Sequence, residues 1–177
     1  MTSVKVLSQP KVKTLSFIAL FTVLAVAIPV VAHYFAGSAA GRLFLPIHLF
    51  VFVAALLLGW RSGLAVGILT PLISFSFTGM PMAAVLPLVI LELALYGILA
   101  GYFHKTRGWN VLYSLLGAMF LGRLALWAFI AILPIKMSAS AYVLSALQAG
   151  LIGIAIQLLL IPLIYKTLKK HISDEKI

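Results

Sequence analysis

The sequence predicts an all-α integral membrane protein with six transmembrane helices and both termini in the cytoplasm. Three observations lead there. The 177 residues are 64% hydrophobic and only 9% charged, too little polar surface to cover a water-soluble core. The apolar residues fall into six runs near the ~17–25 residues that a spanning helix needs. The basic residues then sort to one side. Lys5, Lys11, Lys13, Arg61, Lys105, Arg107, Lys166, Lys169, Lys170 and Lys176 share that side, against Arg42 and Lys136 on the other, ten against two. This positive-inside bias places both termini in the cytoplasm, and an even number of spans keeps the sorting intact.

The first run, 14–35, carries Pro29 as an expected kink. It exceeds the ~7–15 apolar residues of a signal peptide, so it is expected to stay as a helix. The second, 43–59, and the third, 63–77, are short, and Pro71 interrupts the third. Little tilt, or loops that dip into the bilayer, would accommodate them. The fourth is 84–103 and the fifth 111–133. The sixth, 139–165, has Pro162 near its end. These runs form one membrane domain over 1–177, without a soluble domain, low-complexity tract or clear internal repeat.

Several function classes drop out. The net charge of +10 flanks apolar runs, where it faces cytoplasm and anionic lipid headgroups, so nucleic acid is not the expected partner. Without cysteine there are no disulfides or thiolate metal ligands, and His33 and His48 are too few for a metal site. No Gly-Lys-Ser/Thr phosphate loop exists, so the chain itself does not hydrolyse ATP. An intramembrane enzyme lacks a convincing nucleophile–base pair, since Ser74 or Ser76 with His48 is the best on offer.

Polar groups within apolar runs are costly, and each asks for a reason. At the rise of an α-helix, His48 lies ~8 Å below the outer end of its helix, Trp127 ~10 Å, Glu92 ~12 Å, Gln148 ~14 Å and Arg123 ~16 Å. Arg123 and Trp127 share one helix face as an i,i+4 pair, and Glu92 and Tyr96 share another. The inner half is nearly bare, with Gln157 its main polar group. This asymmetry predicts a pocket opening outward. Two pairings remain open. Glu92 and Arg123 can neutralise each other and tie the fourth helix to the fifth, or Glu92 can pair with His48 and leave Arg123 for an anion. His48, Trp127 and Tyr96 also suit plain helix packing, and His33 and Tyr34 suit an interfacial anchor. Gly63, Gly67, Gly97, Gly101, Gly117, Gly150 and Gly153 allow close backbone approach, with Gly97 and Gly101 spaced as a small-xxx-small ridge.

The segments LPIHLFVFVAALLLGWRSGLAVGILTPLIS, FTGMP, LELALYGILAG, GRLALW and IQLLLIP occur in that order. Together they resemble the substrate-binding S components of energy-coupling factor (ECF) vitamin transporters, over about residues 14–168. Within that group the chain is most similar to the pantothenate-type branch. The resemblance implies capture of a water-soluble vitamin or precursor from outside the plasma membrane of a prokaryote, with no catalysis. It also implies partners: a transmembrane coupling subunit and two cytoplasmic ATPase subunits, which use the ATP. The chain itself then needs no cofactor. The family's Ala-xxx-Ala docking pattern falls on Ala19 and Val23, where valine replaces the second alanine. The family's pocket maps onto Glu92, Tyr96, Arg123, Trp127, Gln148 and the 77–82 loop with Met80; depth adds His48. A buried arginine favours a carboxylate ligand, with pantothenate first. The alternative is an autonomous proton-coupled carrier using Glu92, the only carboxylate within a span.

Overall fold

The computed structural model describes residues 9–44, 46–133 and 138–174, without the side chains of 9–11, 32–33, 36–44, 46 and 171–174. Among these residues the chain is all-helical: α1 (Gln9–Phe44), α2 (Pro46–Leu58), α3 (Trp60–Thr78), α4 (Leu86–Gly101), α5 (Val111–Ile132) and α6 (Ala139–Asp174). A π-turn, Tyr102–Thr106, extends α4. Each of the six predicted runs corresponds to one helix, but α1 and α6 depart from expectation by continuing past their predicted ends at 35 and 165, to Phe44 and Asp174. Residues 36–44 continue the helix rather than forming a loop, so position 42 is helical. The segment AGSAAGRLF contains no proline, and its alanines offset the glycine cost. Lys136 and the side chains of His33 and Arg42 lie outside the described residues.

Four stretches are long and apolar enough to cross a bilayer: Val12–Val31, Leu86–Thr106, Val111–Ile132 and Ala139–Lys170. The other two helices differ for physical reasons. With 13 residues, α2 is too short for the ~30 Å hydrocarbon core. It is instead enclosed by protein, since Val51 through Leu56 are all fully buried. A helix apolar on every face belongs inside a bundle. In α3, the 19 residues include Arg61, Ser62, Thr70, Ser74 and Ser76, and its glycine-bearing face is buried against α4.

The α3–α4 contact is backbone on backbone. A Cβ at Gly63 would lie 2.6 Å from the Gly97 carbonyl oxygen, and a Cβ at Gly97 would meet the Gly63 carbonyl. The small-xxx-small ridge of α4 therefore has a partner ridge on α3, Gly63 and Gly67. This close approach brings Leu93 and Tyr96 of α4 into the main core with Phe52 and Leu56 of α2.

Local signals close the ends. Gly79 takes a left-handed φ of 69° after α3, and its N–H donates to the Phe75 carbonyl at 2.9 Å. Asn110 caps α5, its Oδ1 accepting from the Tyr113 N–H at 2.8 Å. Arg61, Lys105, Arg107, Lys166 and Lys169 gather where α2, α4 and α6 finish, hereafter the basic end. There the His104 ring bridges the Trp109 carbonyl and the Tyr165 hydroxyl, both at 2.8 Å, joining the π-turn to α6.

Candidate functional site

Three ionisable side chains from three helices meet inside the bundle. Glu92 of α4 lies with Oε1 3.0 Å from Arg123 Nη2 of α5 and 3.7 Å from His48 Nε2 of α2. Their side chains are only 7%, 14% and 13% exposed, respectively. Both pairings that the sequence left open therefore converge on one carboxylate oxygen. The Arg123 contact is the shorter, and a carboxylate in apolar surroundings needs such a countercharge. It occupies only part of the guanidinium. Among the described residues, Nε and Nη1 of Arg123 have no hydrogen-bond partner, and neither does either ring nitrogen of His48.

Those groups border a partly open cavity of about 420 Å³ lined by residues of α2, α4, α5 and α6. That is within the size range of small-ligand sites. Arg123, His48, Tyr96 and Trp127 all line it. The walls are otherwise mostly aliphatic and aromatic, including Phe52, Met119 and Leu147. Helical spacing explains the α5 wall: Leu116, Met119, Arg123 and Trp127 recur at three or four residues and share one stripe. Tyr96 is 3% exposed and stacks on Phe52 with ring centroids 5.2 Å apart. Trp127 donates from Nε1 to Ser140 Oγ at 3.1 Å, which ties α5 to the first turn of α6.

Other expected site residues lie elsewhere. Glu92 stands behind the lining and touches the cavity through Arg123. Gln148 is exposed on α6 and is not part of the lining. Depth and the family resemblance both suggested it, but neither encodes which way the helix faces; the lining face of α6 is Val143, Leu147, Ile154 and Gln157, and position 148 is turned ~100° from 147. Met80 is 50% exposed in the α3–α4 connection, outside the lining. Gln157, assigned to the inner half, lines the same cavity, so the space extends toward the basic end. The signal for Gln157 was available: it is a lone polar residue in phase with that apolar stripe. No cluster of three or more His, Cys, Asp or Glu is placed to hold a metal among the described residues.

Gly122 gives the site a sensitive point. A Cβ there would fall 2.6 Å from the Tyr96 ring, which is backed by Phe52 and cannot swing away cheaply. Gly122→Ala is expected to push the ring toward the cavity and weaken ligand binding about tenfold, with a loss of stability of about 1–3 kcal/mol. Calorimetric titration and thermal unfolding of the variant check both effects.

Comparison with known proteins agrees with this geometry. Residues 13–165 match the family model for the substrate-specific component of ECF transporters. No match was found among curated proteins or among solved structures. The matched segment spans all six helices and every residue of the cavity. Four bilayer-length apolar helices and an internal small-molecule cavity suit a membrane-embedded transport protein. The chain belongs to the ECF transporter substrate-specific component family, a family of transporter components and not of enzymes.

Proposed function

We propose that the chain captures a small carboxylate vitamin or precursor from outside the cell and delivers it for ATP-driven uptake. The observation that carries this reading is Arg123, a largely enclosed cation on the wall of a cavity, two of whose donor nitrogens have no hydrogen-bond partner among the described residues. Charge-assisted hydrogen bonds from a guanidinium suit a carboxylate or similar anion. The apolar walls suit an aliphatic or ring portion beside that charge. Pantothenate, with one carboxylate, hydroxyl and amide groups and a gem-dimethyl centre, is the first candidate.

Members of this family work with a transmembrane coupling subunit and ATPases. In this reading two cytoplasmic ATPases dock through the coupling subunit, which meets α1. Ala19 and Val23 support that surface, since both are exposed on α1 and Val23 is 61% so. The basic end faces the cytoplasm, both termini with it, and all six helices sit in the plasma membrane of a prokaryote. The competing carrier reading has less support, because Glu92 is held against Arg123 and does not line the cavity.

Liposome reconstitution tests the proposal. Labelled pantothenate is expected to accumulate only when the chain is present with a coupling subunit, ATPases and internal ATP. Accumulation by the chain alone under a pH gradient would contradict it in favour of the carrier.

A further inference from the structure

His48 narrows the ligand further. It sits in the first turn of α2 on the cavity wall, with its side chain 13% exposed. Its ring lies beside that of Tyr96, with centroids 5.7 Å apart, and Tyr96 in turn stacks on Phe52. A ring needed there only for packing could be phenylalanine, without the cost of burying two polar atoms.

Neither ring nitrogen has a hydrogen-bond partner among the described residues. Nε2 stands 3.7 Å from Glu92 Oε1, beyond hydrogen-bond range but close enough for the charge to act. A carboxylate on that side favours the tautomer with its proton on Nε2, and the ring is assigned so. Nδ1 then keeps a lone pair with nothing donating to it. A buried acceptor left unpaired is costly, and a donor on a ligand removes that cost.

His48 and Arg123 are close enough to hold one small molecule together. Both approach the same Glu92 oxygen, at 3.7 and 3.0 Å, so their facing nitrogens are at most about 7 Å apart. Glu92 takes one guanidinium nitrogen from behind the lining, and Nε and Nη1 stay open to a ligand carboxylate. In a carboxylate whose β-carbon carries an N–H or O–H, that donor lies on the order of 4 Å from the charge at ordinary bond lengths. Such a molecule can set its carboxylate on Arg123 and its donor on Nδ1 at once. A plain aliphatic carboxylate satisfies Arg123 but leaves Nδ1 facing a methylene group.

We infer that His48 is a specificity-determining residue whose Nδ1 accepts a hydrogen bond from an N–H or O–H carried near the ligand's carboxylate. This rests on the anion reading of Arg123 and adds a second polar contact to it. The class comprises β-hydroxy acids and acylated β-amino acids. Pantothenate, whose amide N–H is on the carbon β to its carboxylate, falls within it.

The test is calorimetric titration with two probes, pantothenate and its ester analogue, in which an oxygen replaces the amide N–H at unchanged length and charge. Both are titrated into the purified full chain and into His48→Phe, which keeps a ring beside Tyr96 and removes the nitrogens. In the unsubstituted protein, pantothenate is expected to bind about tenfold more tightly than the ester, or better. In His48→Phe, pantothenate is expected to weaken to near the ester's affinity, while the ester changes by less than about threefold. Full discrimination retained in His48→Phe would show that another group meets the N–H and would overturn the inference. Equal weakening of both probes would assign His48 a packing role and do the same. So would equal affinity of the two probes for the unsubstituted protein, a result that stands even if the variant does not fold. If the probes bind equally and Arg123→Ala abolishes both, the anion reading of Arg123 stands and only the role of His48 is lost. Failure of both probes to bind overturns the inference together with pantothenate as the ligand.

Discussion

Replacing Arg123 with alanine is expected to weaken carboxylate binding by roughly thirtyfold to several-thousandfold, the range for truncating one partner of a buried charged contact at 2–5 kcal/mol. The effect is large because, among the described residues, Arg123 is the arginine or lysine that lines the cavity, beside mostly apolar walls. Without it, a carboxylate entering the cavity would face Leu116, Met119 and the Glu92 carboxylate stripped of its nearest cation. Like-charge repulsion would then add to the lost hydrogen bonds. Glu92 keeps a second neighbour, His48 at 3.7 Å, so the variant is expected to fold. A double variant, Arg123→Gln with Glu92→Gln, removes both charges together and separates loss of the anion contact from the cost of a stranded carboxylate. It should also lose carboxylate binding while unfolding near the temperature of the unsubstituted protein. Calorimetric titration with circular dichroism melting checks both variants.

Bulk at Gly97 is expected to damage folding more than any substitution on the cavity wall. A Cβ at this position meets backbone of α3, the Gly63 carbonyl, and backbone cannot rotate aside as a side chain can. Gly97→Val must therefore separate α3 from α4 along their whole contact. That would also loosen the core formed by Leu93, Tyr96 and Phe52. Overpacking a tight contact costs ~1–3 kcal/mol where side chains can adjust, and this site offers no such adjustment. We expect little folded protein in detergent and a melting temperature lowered by many degrees in what survives. Ala149→Leu, on an exposed position of α6, is the control and should melt like the unsubstituted protein. Fluorescence-detected size exclusion with thermal challenge reads both. A Gly97→Val protein with unchanged melting would contradict the backbone contact.

The helices were legible because apolar run length and proline-free stretches are local properties. All six runs correspond to helices, with ends differing by only a few residues for α2 to α5. The long end of α1 was not legible: the segment 36–44 holds glycine, serine and arginine, which read as a loop, yet it continues the helix. That Glu92, Arg123 and His48 each need a partner was legible from depth, since burial of each is costly, but depth left two pairings open and did not show that both meet on one carboxylate oxygen. Depth does not encode which way a helix faces. That is why Gln148 was assigned to the pocket and Gln157 only to the inner half, although Gln157 is the one that shares the lining face with Leu147 and Ile154. The shortness of α2 was legible as well, but its place at the centre of the bundle was not. Enclosure of Val51 through Leu56 depends on contacts with four other helices that no local pattern specifies.

The most direct test of the central claim is to identify what the protein carries. The chain would be purified from cells grown in rich medium, denatured, and the released small molecules examined by mass spectrometry beside those from Arg123→Ala. The account predicts one carboxylate-bearing vitamin or precursor, near one per chain, present in the unsubstituted protein and missing from the variant. A stoichiometric ligand without an anionic group, or a carboxylate retained equally by Arg123→Ala, would contradict it.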